Sequence, residues 1–457
     1  MNIIPIILFI LLLKLWEDKK YDWGLIIITA FLTNGYGFIP ESVFVFKSYD
    51  YVIAFLLITS IIGFIKDKSY FNAKSTKFIY LLYLLIVYQV YEILNTLYMG
   101  AESLGYIIKV ARINFIYLAY FVLRKIPFKT YKAYIKLNLY FCIIQGVFFY
   151  LQPLGINLLQ GRIDEATSAG QITRYANFPE FTIFYIFYCF YNERNIYSKI
   201  LYLCFWGGIL ILAQVRGDIT AIAIAFTIYY LLKNKLKYYI ALLTFGFLAS
   251  IVVVPMFQYR DENSRSSFAE DITNILTVDE VTDIKNNSGN FTFRIAMLVE
   301  RWNYLLENPQ YILTGVGCIH EDSPNCYNRF EFIIGTVNED RYNGYCLIES
   351  GDITWVPILL RYGMIGIIIY SLFLIYWIIL GVKYLRYSLN PIYIATALIG
   401  FTTTITTINT VLFDSYLKTF MLLFYISYLI RYRKRQQQLL LIKQLIHENR
   451  SNYTKLQ

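Results

Sequence analysis

Charge is scarce in this chain. Only 16% of its 457 residues are Asp, Glu, Lys or Arg, against roughly 25% in an ordinary soluble domain. That shortage argues against a water-solvated globule. Histidine is nearly absent, at two residues, and the six cysteines fall in no Cys-x-x-Cys or Cys/His spacing. No metal site of the zinc type is therefore spelled out. The chain also lacks a P-loop and the glycine pattern of a dinucleotide fold, which removes the common nucleotide-driven chemistries. No repeat of about 20–50 residues is present, so solenoids and propellers are excluded.

What the chain has instead is apolar length. Hydrophobic residues make up 57% of it, with 44 Tyr and 35 Phe. A spanning helix takes about 20 predominantly apolar residues, and about 13 candidate runs occur. They fall at 3–16, 24–40, 51–65, 78–97, 104–123, 135–151, 181–191, 200–213, 218–232, 239–256, 355–380, 392–410 and 416–430. They are too continuously apolar for barrel strands, which alternate over about 10 residues. In lipid every backbone polar group must be satisfied within the segment, so the runs read as helices. The expected fold is an all-α polytopic membrane protein.

The net charge of +10 would suggest a nucleic-acid partner in a soluble protein. Here Lys and Arg cluster in short loops, where they act as topology signals, and no nucleic acid is expected. Basic clusters follow every second run: Lys19 and Lys20, then Lys66 to Lys77, Arg124 to Lys132, Lys233 to Lys237, Lys383 and Arg386, and Arg431 to Arg435. By the positive-inside rule these loops are cytoplasmic. The N-terminus then lies outside and the first run is an anchor, because it lacks a basic leader and a small-residue cleavage site.

Four regions result: N-terminal helices over 1–256, a large extracytoplasmic loop over 257–354, C-terminal helices over 355–430, and a basic tail over 431–457. The tail carries Leu439 to Leu441 and Leu445 and reads as an amphipathic helix on the inner leaflet.

The large loop holds the chemistry-bearing residues. Residues 291–307 read as a helix that Ser288 or Asn290 could cap and that Asn308-Pro309 ends. Phe291, Ile295, Leu298, Trp302 and Leu305 follow helical spacing. Arg294 and Arg301, seven residues apart, share a face and could hold one anion, since guanidinium grips phosphate bidentately. A solvated face paired with Glu300 and Glu307 is the alternative. Cys318 and Cys326 could pair in an oxidising compartment. His320 is a candidate proton carrier, and Asp352 either caps the next helix or serves as a base.

Elsewhere, a second outer loop over 152–180 carries Arg174. Arg216 sits at a span end beside Asp218, either paired with it or holding an anion. Lys109 and Arg112 lie one turn apart inside the fifth run, where a buried cation is a functional candidate; Glu92, Glu102 or a lipid-linked phosphate would be the partner.

Three stretches together resemble the O-antigen polymerase and O-antigen ligase superfamily. They are Arg216-Gly217; Phe293-Arg294 through Trp302 and Pro309 to Gly315-Val316-Gly317; and Asp352 followed by Gly363-Met364-Ile365-Gly366. The likeness covers roughly residues 200–380. It implies a GT-C-like membrane glycosyltransferase facing the periplasm or cell exterior, at the bacterial inner membrane. Its substrate would be an oligosaccharide on undecaprenyl pyrophosphate. The reaction would be an inverting transfer with no metal and no cofactor, making O-antigen or capsular polysaccharide, alongside membrane lipid and a chain-length regulator protein.

By the same resemblance, Arg216 and Arg294 would hold the pyrophosphate and Asp352 would act in catalysis. Arg301, Lys109, Arg112, Arg174 and His320 are further substrate-binding candidates. Ligases of that family place His where this chain has Asp352, which favours a polymerase over a ligase. A lipid-linked oligosaccharide flippase is the rival from another class.

Overall fold

The computed structural model describes residues 3–44, 46–72, 76–160, 164–165, 173–175, 177–213, 215–233, 290–330, 332, 334, 348, 353–408 and 410–455. Those residues are overwhelmingly helical. In chain order the helices are α1 Ile4–Glu17, α2 Tyr21–Leu32, α3 Ser48–Lys66, α4 Lys77–Tyr98, α5 Leu104–Ala111, α6 Ala119–Leu123, α7 Phe128–Leu151, α8 Thr182–Asn192, α9 Ile196–Leu212 and α10 Arg216–Leu232. After the undescribed stretch come α11 Asn290–Glu307, α12 Pro324–Arg329, α13 Trp355–Leu385, α14 Pro391–Thr406 and α15 Tyr416–Lys455. One small hairpin joins Asp164–Glu165 to Thr173–Arg174, antiparallel, with Asp164 opposite Arg174.

Among the described residues, five helices are long and apolar enough to cross a membrane: Ser48–Lys66, Lys77–Tyr98, Leu104–Leu123, Phe128–Leu154 and Trp355–Leu385. Four expected spans fall on shorter apolar helices instead, Tyr21–Leu32, Ile196–Leu212, Gly217–Leu232 and Pro391–Thr406. The expected span 239–256 lies outside the described residues. The run 24–40 stops being helical at Leu32, because Asn34, Gly35, Tyr36 and Gly37 all take positive φ, a conformation that ends a right-handed helix.

The tail departs from expectation. It does not leave the last span as a separate surface helix; α15 runs unbroken through the basic cluster from Tyr416 to Lys455. No Gly or Pro interrupts it, and its Lys, Arg, Gln and Leu are strong helix formers.

Side-chain fit holds the bundle together, since lipid gives helices no hydrophobic reason to associate. Small residues let α13 and α14 approach closely. A methyl at Gly381 would meet Ala397 Cβ at 3.0 Å, and one at Gly400 would meet Trp377 at 3.1 Å. Asn390 caps α14, its Oδ1 accepting from Ile392 N (3.0 Å) and Tyr393 N (3.3 Å), with Pro391 entering the helix next. Helix α14 packs on α8, α10 and α13, while α2 packs on α1, α3 and α7. Between α5 and α6 the chain tightens into a 3-10 turn, Arg112–Leu118.

Candidate functional site

The most unusual backbone in the molecule lies in α13. Gly363 takes φ 56° and ψ −158° and breaks the helix at its ninth residue. A side chain there would be strained, and that region of backbone space is essentially glycine's alone. In an unbroken helix Met364 N–H would donate to Leu360 O, and Ile365 N–H to Arg361 O. Both bonds are missing, and both are replaced by the segment 312–317. Met364 N–H donates to Ile312 O (2.9 Å) and Ile365 N–H to Leu313 O (3.1 Å). In return Val316 N–H donates to Leu360 O (2.9 Å) and Gly317 N–H to Arg361 O (3.0 Å). The next carbonyl, Tyr362 O, accepts from Tyr88 Oη of α4 at 2.6 Å. Three carbonyls and two amides at the break are thus partnered from outside α13, as buried backbone requires.

Glycine is needed on both sides of this junction. Gly315 (φ +75°) presses onto α13 so closely that a methyl would lie 2.4 Å from the Arg361 carbonyl. A methyl on Gly363 would lie 2.5 Å from Leu313 O. At Gly317 it would lie 2.2 Å from Thr96 Oγ1. Two stretches singled out in the sequence, Gly315-Val316-Gly317 and Gly363 to Gly366, are therefore one structural unit.

Beneath the segment lie buried charges. Arg361 is 3% exposed and its Nε donates to Ile319 O (3.2 Å). Glu92 of α4 is fully buried, with its carboxylate beside the Tyr88 hydroxyl. Thr96 Oγ1 joins the two layers, donating to Glu92 O (2.7 Å) while accepting from Cys318 N (2.9 Å). Burial pushes the Cys318 thiol up to about 12; Arg361 pulls it down and Glu92 pushes it further up. Each charge sits six residues inside its helix end, about 9 Å at 1.5 Å per residue. Arg361 went unnoticed in the sequence, although the rule that flags Lys109 and Arg112, a cation inside an apolar run, applies to it equally.

Arg301 does not share an anion with Arg294. It is fully buried, its Nη1 donating to Ile334 O (2.6 Å) and to Glu300, with its guanidinium 4.3 Å from the Phe332 ring centre. Glu300 in turn accepts from Ile334 N at 3.2 and 3.3 Å. The pair stitches Phe332 and Ile334 onto α11. The reason lies in which face is covered: Met297, Arg301 and Leu305, spaced four apart, are all buried, and that stripe is offset from the apolar stripe read in the sequence. Pairing with Glu300 was the alternative reading, but it is a buried pair and not a solvated one. Arg294 is half-buried on the same helix.

Arg112 also finds other partners than expected. Its Nη2 donates to Tyr49 Oη (2.6 Å) and its Nη1 lies 3.9 Å from Asp50, so neither Glu92 nor Glu102 holds it. The Tyr49 ring stacks on Tyr416 at 4.0 Å. Lys109 and His320, far apart in sequence, both lie near the Tyr106 ring. Lys109 Nζ stands 4.7 Å from the Tyr106 centre, and the His320 ring lies 5.5 Å from Tyr106. His320 Nδ1 accepts from Asp322 N (2.9 Å). Asn325 anchors this corner by donating to Ala101 O (3.0 Å).

Cys318 and Cys326 are both free and buried, so the pairing considered for them is not formed; burial pushes the Cys326 thiol up to about 12 as well. Asp352 lies outside the described residues. Arg216 opens α10 and Arg174 closes the small hairpin. Among the described residues no cluster of His, Cys, Asp and Glu could hold a metal ion. An apolar groove of about 750 Å³ runs between α1, α2 and α7, lined by Leu8, Leu11, Trp23, Ile27, Phe141 and others. No family model and no curated protein sequence matches this chain.

Proposed function

We propose that the protein is a glycosyltransferase of the inner membrane that joins undecaprenyl-pyrophosphate-linked repeat units into O-antigen or capsular polysaccharide on the extracytoplasmic side. The observation that carries this reading is the docking of 312–317 onto the break in α13, which unites two of the three stretches that resemble the polymerase and ligase superfamily. On this reading the chain crosses the membrane about 13 times, with the shorter apolar helices among the spans, and the architecture is GT-C-like.

The chemistry is coherent with the residues. As the anomeric carbon loses its pyrophosphate, negative charge grows on the leaving group. Fixed guanidinium groups stabilise that charge where it develops, a role for Arg294 on α11 and Arg216 at the head of α10. A carboxylate beside the acceptor hydroxyl takes its proton as the new glycosidic bond forms, the role of Asp352. The groove between α1, α2 and α7 suits a hydrocarbon tail. Arg301 is withdrawn from substrate binding, because it is fully buried against Glu300, Ile334 O and Phe332.

The test is in cells. Arg216→Ala and Arg294→Ala should each abolish polymer while the amount of protein in the membrane stays normal, and Asp352→Asn should lower turnover with donor binding retained. Unchanged polymer length in the arginine variants would remove them from the pyrophosphate, and normal turnover in Asp352→Asn would return that residue to helix capping.

A further inference from the structure

We propose that residues 312–319 form a strap that docks reversibly on α13, and that α13 closes its own helical ladder whenever the strap leaves. The argument is the symmetry of the exchange. The strap borrows two carbonyls, Leu360 O and Arg361 O, and two amides, those of Met364 and Ile365. These four groups are the ones that would pair with each other, Met364 with Leu360 and Ile365 with Arg361, in a continuous helix. Departure of the strap thus leaves no orphaned backbone group in α13, so the usual cost of exposing backbone inside a bundle is avoided. The break rests on a single glycine, and glycine reaches helical angles as readily as the angles seen here.

The two arrangements are discrete, which is what a switch requires. In the docked form Val316, Cys318 and Ile319 are buried, and Ile319 O holds Arg361 Nε. In the undocked form that bond is lost, Cys318 moves off Thr96, and the Arg361 and Glu92 charges face the space the strap vacated. The strap continues from α11 through the 3-10 turn Pro309–Tyr311, so its position is coupled to the helix that carries Arg294.

Cys318 supplies the test, because its thiol is buried only while the strap is docked. The full-length protein, with the other five cysteines replaced by alanine, is purified in detergent and its labelling by a maleimide is timed. Gly363→Ala blocks docking, through the 2.5 Å approach to Leu313 O, yet favours a continuous helix. If the undocked state is about 0.1–10% populated in the parent, Gly363→Ala should speed labelling about 10- to 1,000-fold. Hydrogen exchange should then show the amides of Met364 and Ile365 still protected while those of Val316 and Gly317 exchange fast. Loss of protection at all four would mark simple damage and overturn the switch, as would a folded Gly363→Ala whose Cys318 labels no faster than the parent's. Should that variant fail to fold, the parent decides. Labelling with a weaker denaturant dependence than global unfolding supports local undocking, and an identical dependence overturns it.

Discussion

Helix α13 is held in two different ways along its length. Beyond Gly363 it keeps its own hydrogen-bond ladder and packs on α14 through close contacts, Gly381 against Ala397 and Trp377 against Gly400. Before Gly363 it is more fully buried, from Val356 to Tyr362, and its Leu360 and Arg361 carbonyls belong to a segment about 45 residues earlier in the chain. The first mode tolerates change, because a neighbouring side chain can give by a few tenths of an ångström. The second does not, because the close neighbours are backbone. Where a membrane helix surrenders its ladder, glycine identity is fixed by geometry.

The same contrast separates the two arginines of α11. Arg301 is a structural cation, sealed between Glu300, Ile334 O and Phe332. Arg294 lies half-buried seven residues earlier.

The largest expected effect sharpens that contrast. Arg301→Ala leaves the largely buried Glu300 without its cation and should cost about 3–5 kcal/mol, read as early loss of protease resistance around α11. Arg294→Ala should leave that resistance unchanged while abolishing polymer. Next comes the glycine pair. Gly315→Ala combines positive φ with a backbone clash and should cost about 2–5 kcal/mol. Gly400→Ala, facing the edge of Trp377, should stay within about 1 kcal/mol, because better helix propensity offsets the crowding. Thermal unfolding in detergent compares them, and equal losses would break the distinction between the two parts of α13. A further loss, smaller than that at Gly315, is expected at Tyr88→Phe. It removes the donor on Tyr362 O and should cost about 1–3 kcal/mol, while the matching change at Tyr80, exposed on the same helix, should cost nothing measurable.

Much of this was legible in the sequence, and the limits are physical. Hydropathy located the long helices because a span needs length and little charge. The helix Asn290–Glu307 was visible from its spacing and its Asn308-Pro309 stop. The inward turn of Arg301 was not, because its partner Ile334 lies 33 residues on and apolar residues occur on more than one face of α11. The break in α13 was hidden inside an apolar run, since hydropathy carries no record of dihedral angles. Its glycines could be noticed as a pattern, but the bond exchange that requires them is a contact between distant segments. The continuation of α15 was readable from the lack of Gly and Pro, had composition been weighed above the change in charge at Arg431.

The central claim is the transfer reaction, and one reconstitution tests it most directly. Purified protein in detergent is given a synthetic undecaprenyl-pyrophosphate repeat unit with no metal and no nucleotide, and the products are resolved on a gel. The account predicts a ladder of lengths that disappears in Arg294→Ala. No ladder, with the same lipid instead crossing the bilayer of vesicles containing the protein, would contradict it and make this a transporter.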